Sequence, residues 1–187
     1  MRRASLLLVL LSVPMVLTFP AAQGKSAHAG SLSPTGAWAG VPVDRSRAEL
    51  PVSMRPAIFD YLVGNWAGEG ELFGRPSRFD MVWAWELGGR FVGLSYEIRG
   101  DVQMSARAHY RIADSDTISG VWVDSRGEIL ELRATATDST LVTLWRSPTE
   151  QGRTIYRRSG ADSLEVFDAV QDGAGWRRFG TAQYGRR

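Results

Sequence analysis

The 187-residue chain contains no cysteine and very little histidine or lysine. The lack of cysteine excludes a disulfide framework, a lipid-modified N-terminal cysteine, thiolate metal sites and cysteine nucleophiles. His28 and His109 are the only histidines, and Lys25 is the only lysine among the 22 basic residues. The folded part of the chain must therefore be held together by core packing alone.

The chain also lacks an excess of either charge. Its formal charge of +2 includes Arg2, Arg3 and Lys25, which belong to the N-terminal segment. Without these three, 19 of the 22 basic residues remain against 20 acidic ones. A net charge this close to zero supplies no excess of positive charge to attract nucleic acid or an anionic membrane surface. We expect neither as a partner.

The N-terminal 29 residues have the pattern of a secretory signal peptide. Arg2 and Arg3 precede an apolar run of about 16 residues, Ala4–Phe19. A membrane-spanning helix needs roughly 20 apolar residues, so the run favours cleavage over a stable membrane span. Small residues permit cleavage after Ala22 or after Ala29. We predict a secreted or periplasmic protein.

The rest of the chain divides into a linker and one domain. Residues 30–55 are rich in Gly, Ser, Ala and Pro without a sustained period, which predicts a flexible linker or arm. Residues 56–187 form the predicted domain, and a short helix is expected to begin after Pro56. Four apolar residues share one face of that helix: Ile58, Phe59, Leu62 and Val63.

The next stretch has the two-residue period of a β-hairpin. Large apolar residues occupy the odd positions up to Leu87, and Gly88-Gly89 supplies residues that tolerate the positive φ of a two-residue turn. This turn pairs Leu87 with Arg90. It places four apolar pairs on one face: Trp85 with Val92, Trp83 with Leu94, Met81 with Tyr96, and Phe79 with Ile98. A shift of the strand pairing by one residue would expose that face to solvent. The apolar pattern and the turn therefore predict the same register.

Ten short strands separated by turn residues are predicted after the helix. They lie at 65–73, 77–87, 90–99, 102–112, 117–124, 128–137, 140–147, 152–159, 163–171 and 175–184. Their short connections leave no room for crossover helices, which requires an antiparallel meander. A meander of this length closes to remove its edges. We predict an all-β, antiparallel up-and-down barrel of eight to ten strands, with a two-sheet sandwich as the alternative.

The first strand resembles a motif of calycin-type barrels. Residues 64–70, Gly-Asn-Trp-Ala-Gly-Glu-Gly, resemble the GxWxGxG element of the nitrobindin-like proteins, and lipocalins and fatty-acid-binding proteins share the GxW core. Residues 110–112 and 120–127 resemble more closely a set of uncharacterised bacterial secreted proteins. Over residues 56–187, the resemblance implies a small barrel with an apolar cavity.

The resemblance also raises haem as a ligand, because nitrobindin-like proteins hold haem iron with a histidine on a late strand. This chain has no histidine in its late strands. Haem binding would need a non-standard axial ligand such as Tyr156 or Tyr184. We therefore predict no cofactor and no metal, and keep haem as an alternative.

Two sets of residues are candidates for catalysis. A three-residue turn after Arg99 pairs Ile98 with Val102 and makes His109 a surface residue. A two-residue turn at Gly100-Asp101 would instead direct His109 into the barrel as part of a polar grip on a ligand. Glu69 and Glu71 lie about 7 Å apart on one strand face, a separation that suits an inverting glycosidase. Solvent exposure is the simpler interpretation of that pair, and we predict that the protein is not an enzyme.

Aromatic side chains are the strongest remaining signal. Inward-facing rings in a closed barrel either fill a core or line a cavity for one small ligand. The predicted ligand-binding residues are Trp83 and Trp85 at the centre, with Tyr96, Tyr110, Trp122, Trp145 and Tyr156 around them, and Arg133 and Arg178 as charged ends for an anionic ligand. We predict an exported protein that binds a small apolar or amphipathic molecule. The alternative is a cell-envelope structural or interaction protein with a solid barrel.

Overall fold

The computed structural model describes residues 55–113 and 117–187, which form one short helix and ten strands. The elements are α1 (Ala57–Leu62), β1 (Gly64–Leu72), β2 (Arg75–Glu86), β3 (Phe91–Gly100), β4 (Met104–Ile112), β5 (Ile118–Asp124), β6 (Ile129–Ala136), β7 (Thr140–Arg146), β8 (Gln151–Arg158), β9 (Ser163–Asp172) and β10 (Gly175–Arg186). The predicted signal peptide and all of the predicted linker except Arg55 lie outside the described residues.

All strands belong to one closed antiparallel sheet. Each strand pairs with its neighbours in the sequence, and β1 also pairs with β10. The predicted up-and-down barrel with a preceding helix is confirmed, with ten strands, and the sandwich alternative is wrong. In the described part of the chain, no helix is both long and apolar enough to span a membrane.

The β2–β3 hairpin has the predicted register but a longer turn. Trp85 lies opposite Val92 and Trp83 opposite Leu94, as expected. The turn spans four residues, 87–90, because Leu87 has a positive φ of 48° in addition to the two glycines that follow it. One residue is added on each side of the predicted turn, so the strand pairing does not change.

The β3–β4 connection differs from the prediction by two residues. Ile98 pairs with Met104 rather than with Val102. A shift of two residues keeps every side chain on its own face of the sheet. His109 therefore points outward, and the alternative in which it faces the lumen is wrong.

The GxWxGxG motif has a packing reason in this barrel. Trp66 is buried in the interior, and the next inward position on β1 is Gly68. A Cβ atom at Gly68 would lie 2.6 Å from Cδ1 of Tyr184 on β10. Glycine is required there because the ring of Tyr184 lies directly against the backbone of β1.

The two ends of the barrel differ. We call the end with the turns 87–90, 137–139 and 159–162 the helix end, because α1 lies across it, and the opposite end, with the turns 73–74 and 147–150, the open end. Three apolar side chains of α1 are completely buried in the helix end: Ile58, Phe59 and Leu62.

Candidate functional site

The interior near the helix end is a packed aromatic core. Trp83, Tyr110 and Tyr156 are 1%, 2% and 5% exposed. The ring of Trp83 stacks on Tyr110 at a centroid distance of 5.7 Å and meets Tyr156 edge-on at 5.3 Å. Phe59 of α1 contacts Tyr110 at 6.1 Å. These rings pack against one another, so this half of the barrel has a solid core.

The interior near the open end is less completely buried than the helix end. Seven inward-facing side chains there are only half-buried: Tyr96, Met104, Trp122, Leu130, Trp145, Thr154 and Val170. An inward-facing side chain of a closed barrel reaches solvent only through the lumen or its mouth. We call these seven residues the cup, and they mark the candidate binding site.

One wall of the cup is fixed by an ion pair. The ring of Tyr96 lies 5.6 Å from that of Trp122, whose Nε1 donates a hydrogen bond to Oδ2 of Asp124 at 3.3 Å. Burial alone would raise the pKa of Asp124, but hydrogen bonds from Arg126 and Trp122 lower it. Asp124 is therefore ionised and paired with Arg126, and it holds the indole of Trp122 in place.

The mouth of the cup carries a row of aromatic rings. Trp145 meets Phe179 edge-on at 6.4 Å, and Phe179 stacks on Phe73 at 4.9 Å. Phe73 is 63% exposed and has a positive φ of 53°, which is unusual for a bulky residue. The strained β1–β2 turn thus holds an exposed ring at the mouth.

A carboxylic acid, Asp168 on β9, is half-buried and points into the barrel beside the cup. The hydroxyl of Thr154 donates a hydrogen bond to Oδ1 of Asp168 at 2.6 Å. A Cβ atom at Gly180, on the adjacent strand, would lie 3.0 Å from Oδ2, so the missing side chain leaves room for the carboxyl group. Burial raises the pKa of Asp168 to about 6, and no basic side chain of the described residues offsets this effect.

Tyrosine hydroxyls form a polar network around this acid. Tyr110 hydrogen-bonds to Thr143 at 3.2 Å and to Tyr156, and Tyr96 hydrogen-bonds to Tyr184. Burial raises the pKa of all four phenols, that of Tyr110 to about 12, and the charge of Asp168 raises them further. The hydroxyls are therefore protonated at neutral pH and available as hydrogen-bond donors.

The predicted aromatic ligand-binding residues separate into three groups. Tyr96, Trp122 and Trp145 lie in the cup, whereas Trp83, Tyr110 and Tyr156 belong to the packed core. Trp85, expected at the centre of the site, lies under the helix. Its Nε1 donates to Oδ1 of Asp60 at 2.9 Å, and Arg55 lies 4.8 Å from its ring.

The predicted charged ends lie on the outer face of the barrel. Arg133 pairs with Glu131 at 2.8 Å, and both are solvent-exposed. Arg178 lies over the outer ring of Phe167 at 5.0 Å. Neither arginine supplies a positive charge to the lumen, so the structure gives no support to an anionic ligand held there by these two residues.

Two polar residues of the site, Thr154 and Asp168, were not identified from the sequence, and Tyr184 was named only as a possible haem ligand. A signal for Asp168 was nevertheless present, because Leu164, Val166 and Val170 alternate with outward-facing residues on β9. An acid at the same alternate positions as three inward-facing apolar residues is expected to face the interior as well.

Two surface depressions adjoin the strands of the site among the described residues. One of about 570 Å³ lies beside the turn 147–150 and borders the cup at Val170. The other, of about 490 Å³, lies on the outer face of β8–β10, where Arg153 covers Trp176 at 4.7 Å and Arg157 covers Phe167 at 5.1 Å.

The candidate catalytic residues all lie outside the lumen. Nδ1 of His109 is 2.9 Å from Oε2 of Glu86 on the outer face. Glu69 is exposed and pairs with Arg78 at 3.2 Å, and Glu71 is also exposed. Over residues 55–113 and 117–187, no three His, Asp or Glu side chains are grouped so that they could hold a metal ion.

The tyrosines proposed as haem ligands do not fit that role. Tyr156 packs its ring against Trp83, and its hydroxyl hydrogen-bonds to Tyr110. The hydroxyl of Tyr184 hydrogen-bonds to Tyr96, and the side chain of Tyr184 is also buried. A porphyrin face on either hydroxyl would have to displace these neighbours.

Comparison with solved structures gives matches of low sequence identity. The crystal structure of Rv2717c from M. tuberculosis superposes with a TM-score of 0.54 and 20% identity, covering 72% of this chain and 99% of that chain. The S-type phycobiliprotein lyase CPES from Guillardia theta gives a TM-score of 0.48 and 10% identity, covering 70% and 90%. Neither a family model nor a curated protein matches the sequence. The likeness to Rv2717c concerns the fold, and with the closed ten-strand sheet it fits the calycin-type barrel.

Proposed function

We propose that this protein is an exported binding protein that holds a small apolar or amphipathic molecule in the cup, without catalysing a reaction. The observation that carries the proposal is the contrast in burial inside one barrel. The core rings pack against each other, whereas Tyr96, Trp122 and Trp145 face the lumen with accessible surface. Exposed inward-facing aromatic surface is what a ligand-binding lumen provides.

Export is supported by the N-terminal pattern of Arg2-Arg3, an apolar run and small residues. The resemblance of residues 110–112 and 120–127 to bacterial secreted proteins points the same way. A cleaved signal peptide would place the barrel in the periplasm or outside the cell.

The alternative function is an envelope structural protein, and the packed core favours it in one respect. That core shows that half of the barrel needs no ligand to be filled. If the cup filled in the same way in solution, the outer face or the N-terminal arm would make the functional contacts.

Binding of a neutral hydrophobic dye tests the proposed function. Nile red should bind with a Kd in the micromolar range, which corresponds to about 8 kcal/mol. Trp122→Ala should weaken binding about tenfold or more, because each large ring contributes 150–250 Å² of buried area on the order of several kcal/mol. Trp176→Ala removes an indole from the outer face and is the matched control.

Fatty acids, retinoids and porphyrins would then compete with the dye to identify the class of ligand. Absence of Nile red binding, or an equal loss in the Trp122 and Trp176 variants, would refute the cup as a binding site. Hydrolase assays on esters, glycosides and phosphates test the absence of catalysis, and turnover that disappears in His109→Ala or Glu71→Gln would contradict it.

A further inference from the structure

The lumen contains a carboxylic acid without a basic partner. Among the described residues, the cup and the surrounding tyrosine network contain no Arg, Lys or His. Two other acids on the inward register at the open end are already paired: Asp124 with Arg126 at 2.7 Å and Asp172 with Arg177 at 3.2 Å. Asp168 has only the Thr154 hydroxyl as a hydrogen-bond partner of its carboxylate within that region. The interior therefore offers one unneutralised negative charge.

A protein gains nothing in packing from an acid at this position. A buried carboxylate loses its hydration, and this loss is expensive unless a cation or several donors replace the water. One donor, Thr154, is present at 2.6 Å. The neighbouring inward positions on the same strand, Val166 and Val170, are apolar. The acid is thus unexplained by the fold.

From this geometry we propose that the cup selects cationic ligands: a primary or secondary ammonium group, carried on an apolar or aromatic body, pairs with Asp168 and Thr154. This inference rests on the proposed binding function and names the chemical class of its ligand. The ammonium group would supply the positive charge that the chain itself does not supply.

The cup residues suit the rest of such a ligand. Tyr96, Trp122 and Trp145 present aromatic rings, whose faces attract a cation and whose area buries an apolar body. The missing side chain at Gly180 lets the Oδ2 side of the carboxyl group lie close to the backbone of that strand. An anionic ligand would meet the negative charge of Asp168, and Arg177, which lies opposite the cup residue Val170, is already paired with Asp172.

The pairing predicts a dependence on pH. Asp168 is faced by Thr154 from β8 and by the phenols of Tyr96, Tyr110, Tyr156 and Tyr184, none of which is charged at neutral pH. Burial raises the pKa of Asp168 to about 6, so the acid loses its charge as the pH falls through that value. An amine stays protonated throughout this range, and its affinity should therefore decrease from pH 8 to pH 5.

Three ligands that share one body test the proposal: 4-phenylbutylamine, 4-phenylbutanol and 4-phenylbutyrate. Titration calorimetry at pH 8 should show the amine binding about tenfold or more tightly than the alcohol, with the carboxylate weakest. Asp168→Asn, which keeps the shape of the side chain, should abolish the preference for the amine and leave the affinity for the alcohol unchanged. Glu165→Gln, on the outer face of the same strand, is the matched control and should change neither.

The outcomes separate this inference from the proposed function. If the alcohol binds at least as tightly as the amine, the preference for cations is wrong while the cup stands as a binding site. If none of the three ligands and no Nile red binds, both proposals fall. If Asp168→Asn does not fold, the pH series on the unmodified protein decides, since an amine affinity that stays constant from pH 8 to pH 5 overturns the role of Asp168.

Discussion

The two ends of this barrel are built from the same strands and the same kinds of side chain, but their inward-facing side chains differ in burial. At the helix end, Phe59 and its neighbours on α1 supply the atoms that complete the packing around Trp83 and Tyr110. At the open end no helix of the described residues fills that role, and Trp122 and Trp145 keep accessible surface. The packed core and the cup therefore differ in that the docked helix covers only the core.

The helix is fixed to the barrel by long-range contacts. Arg186 on β10 donates to the carbonyl oxygens of Tyr61 at 2.6 Å and Val63 at 2.8 Å, and it lies 4.3 Å from the ring of Trp66. The indole of Trp66 donates to Leu62 O at 2.7 Å, which satisfies a carbonyl at the end of the helix. The last strand thus helps to hold the first element in place.

Truncating one ring in each half should give the largest difference. Trp83→Ala should lower the free energy of unfolding by about 3–5 kcal/mol, because it opens a cavity in a packed core. Trp122→Ala should cost much less, about 1 kcal/mol, because that ring already borders open space. Urea unfolding followed by circular dichroism measures both. Equal losses would mean that the barrel is uniformly packed.

Removing the contact between helix and barrel should have the next largest effect. Arg186→Ala should cost about 2–3 kcal/mol, because it breaks two charge-assisted hydrogen bonds to backbone carbonyls. Arg187→Ala removes an exposed pair with Asp80 and should cost no more than about 1 kcal/mol. If both variants unfold at the same urea concentration, Arg186 does not secure the helix.

Neutralising the acid beside the cup should stabilise the protein. The pKa of Asp168 is raised from 3.8 to about 6 on folding, so the folded state holds this proton more tightly than the unfolded chain. The stabilising effect of that proton is complete below pH 4 and is lost as the pH rises through about 6. Asp168→Asn does not titrate and should gain about 1–3 kcal/mol at pH 7.5.

The pH series provides the control for that gain. The stability difference between Asp168→Asn and the unmodified protein should shrink as the pH falls from 7.5 to 4, and thermal unfolding across this range would follow it. A stabilisation that does not depend on pH would show that the acid is not responsible. A gain in stability combined with loss of amine binding would identify a residue kept for function.

The smallest effect is expected on the outer face. His109→Ala breaks the exposed contact with Glu86 and should change the free energy of unfolding by no more than about 0.5 kcal/mol. Ligand affinity should not change, because His109 points away from the cup. A weakened affinity for Nile red in this variant would place the binding site on the outer face.

Most of the fold could be predicted because its causes are local. The two-residue period and the Gly88-Gly89 turn fix the pairing of Trp83 with Leu94, and an even shift in the next turn leaves the faces of β4 unchanged. Turn residues mark the limits of all ten strands to within about two residues. None of these features depends on contacts between distant parts of the chain.

The division into core and cup could not be predicted because it depends on distant contacts. Arg186 and Val63 are 123 residues apart in the chain, yet their hydrogen bond helps to place α1. The outward face of Arg178 has a local cause. Strict alternation from Gly180 would point Arg178 into the lumen, but a register shift between these two residues turns it outward.

Fluorine NMR of protein labelled with 5-fluorotryptophan tests the central claim most directly. The chain has seven tryptophans, and single Trp→Phe variants assign their signals. Addition of 4-phenylbutylamine or Nile red should shift the signals of Trp122 and Trp145 and leave those of Trp83 and Trp176 in place. Shifts confined to Trp83, or to Trp176 on the outer face, would contradict a binding site in the open half of the barrel.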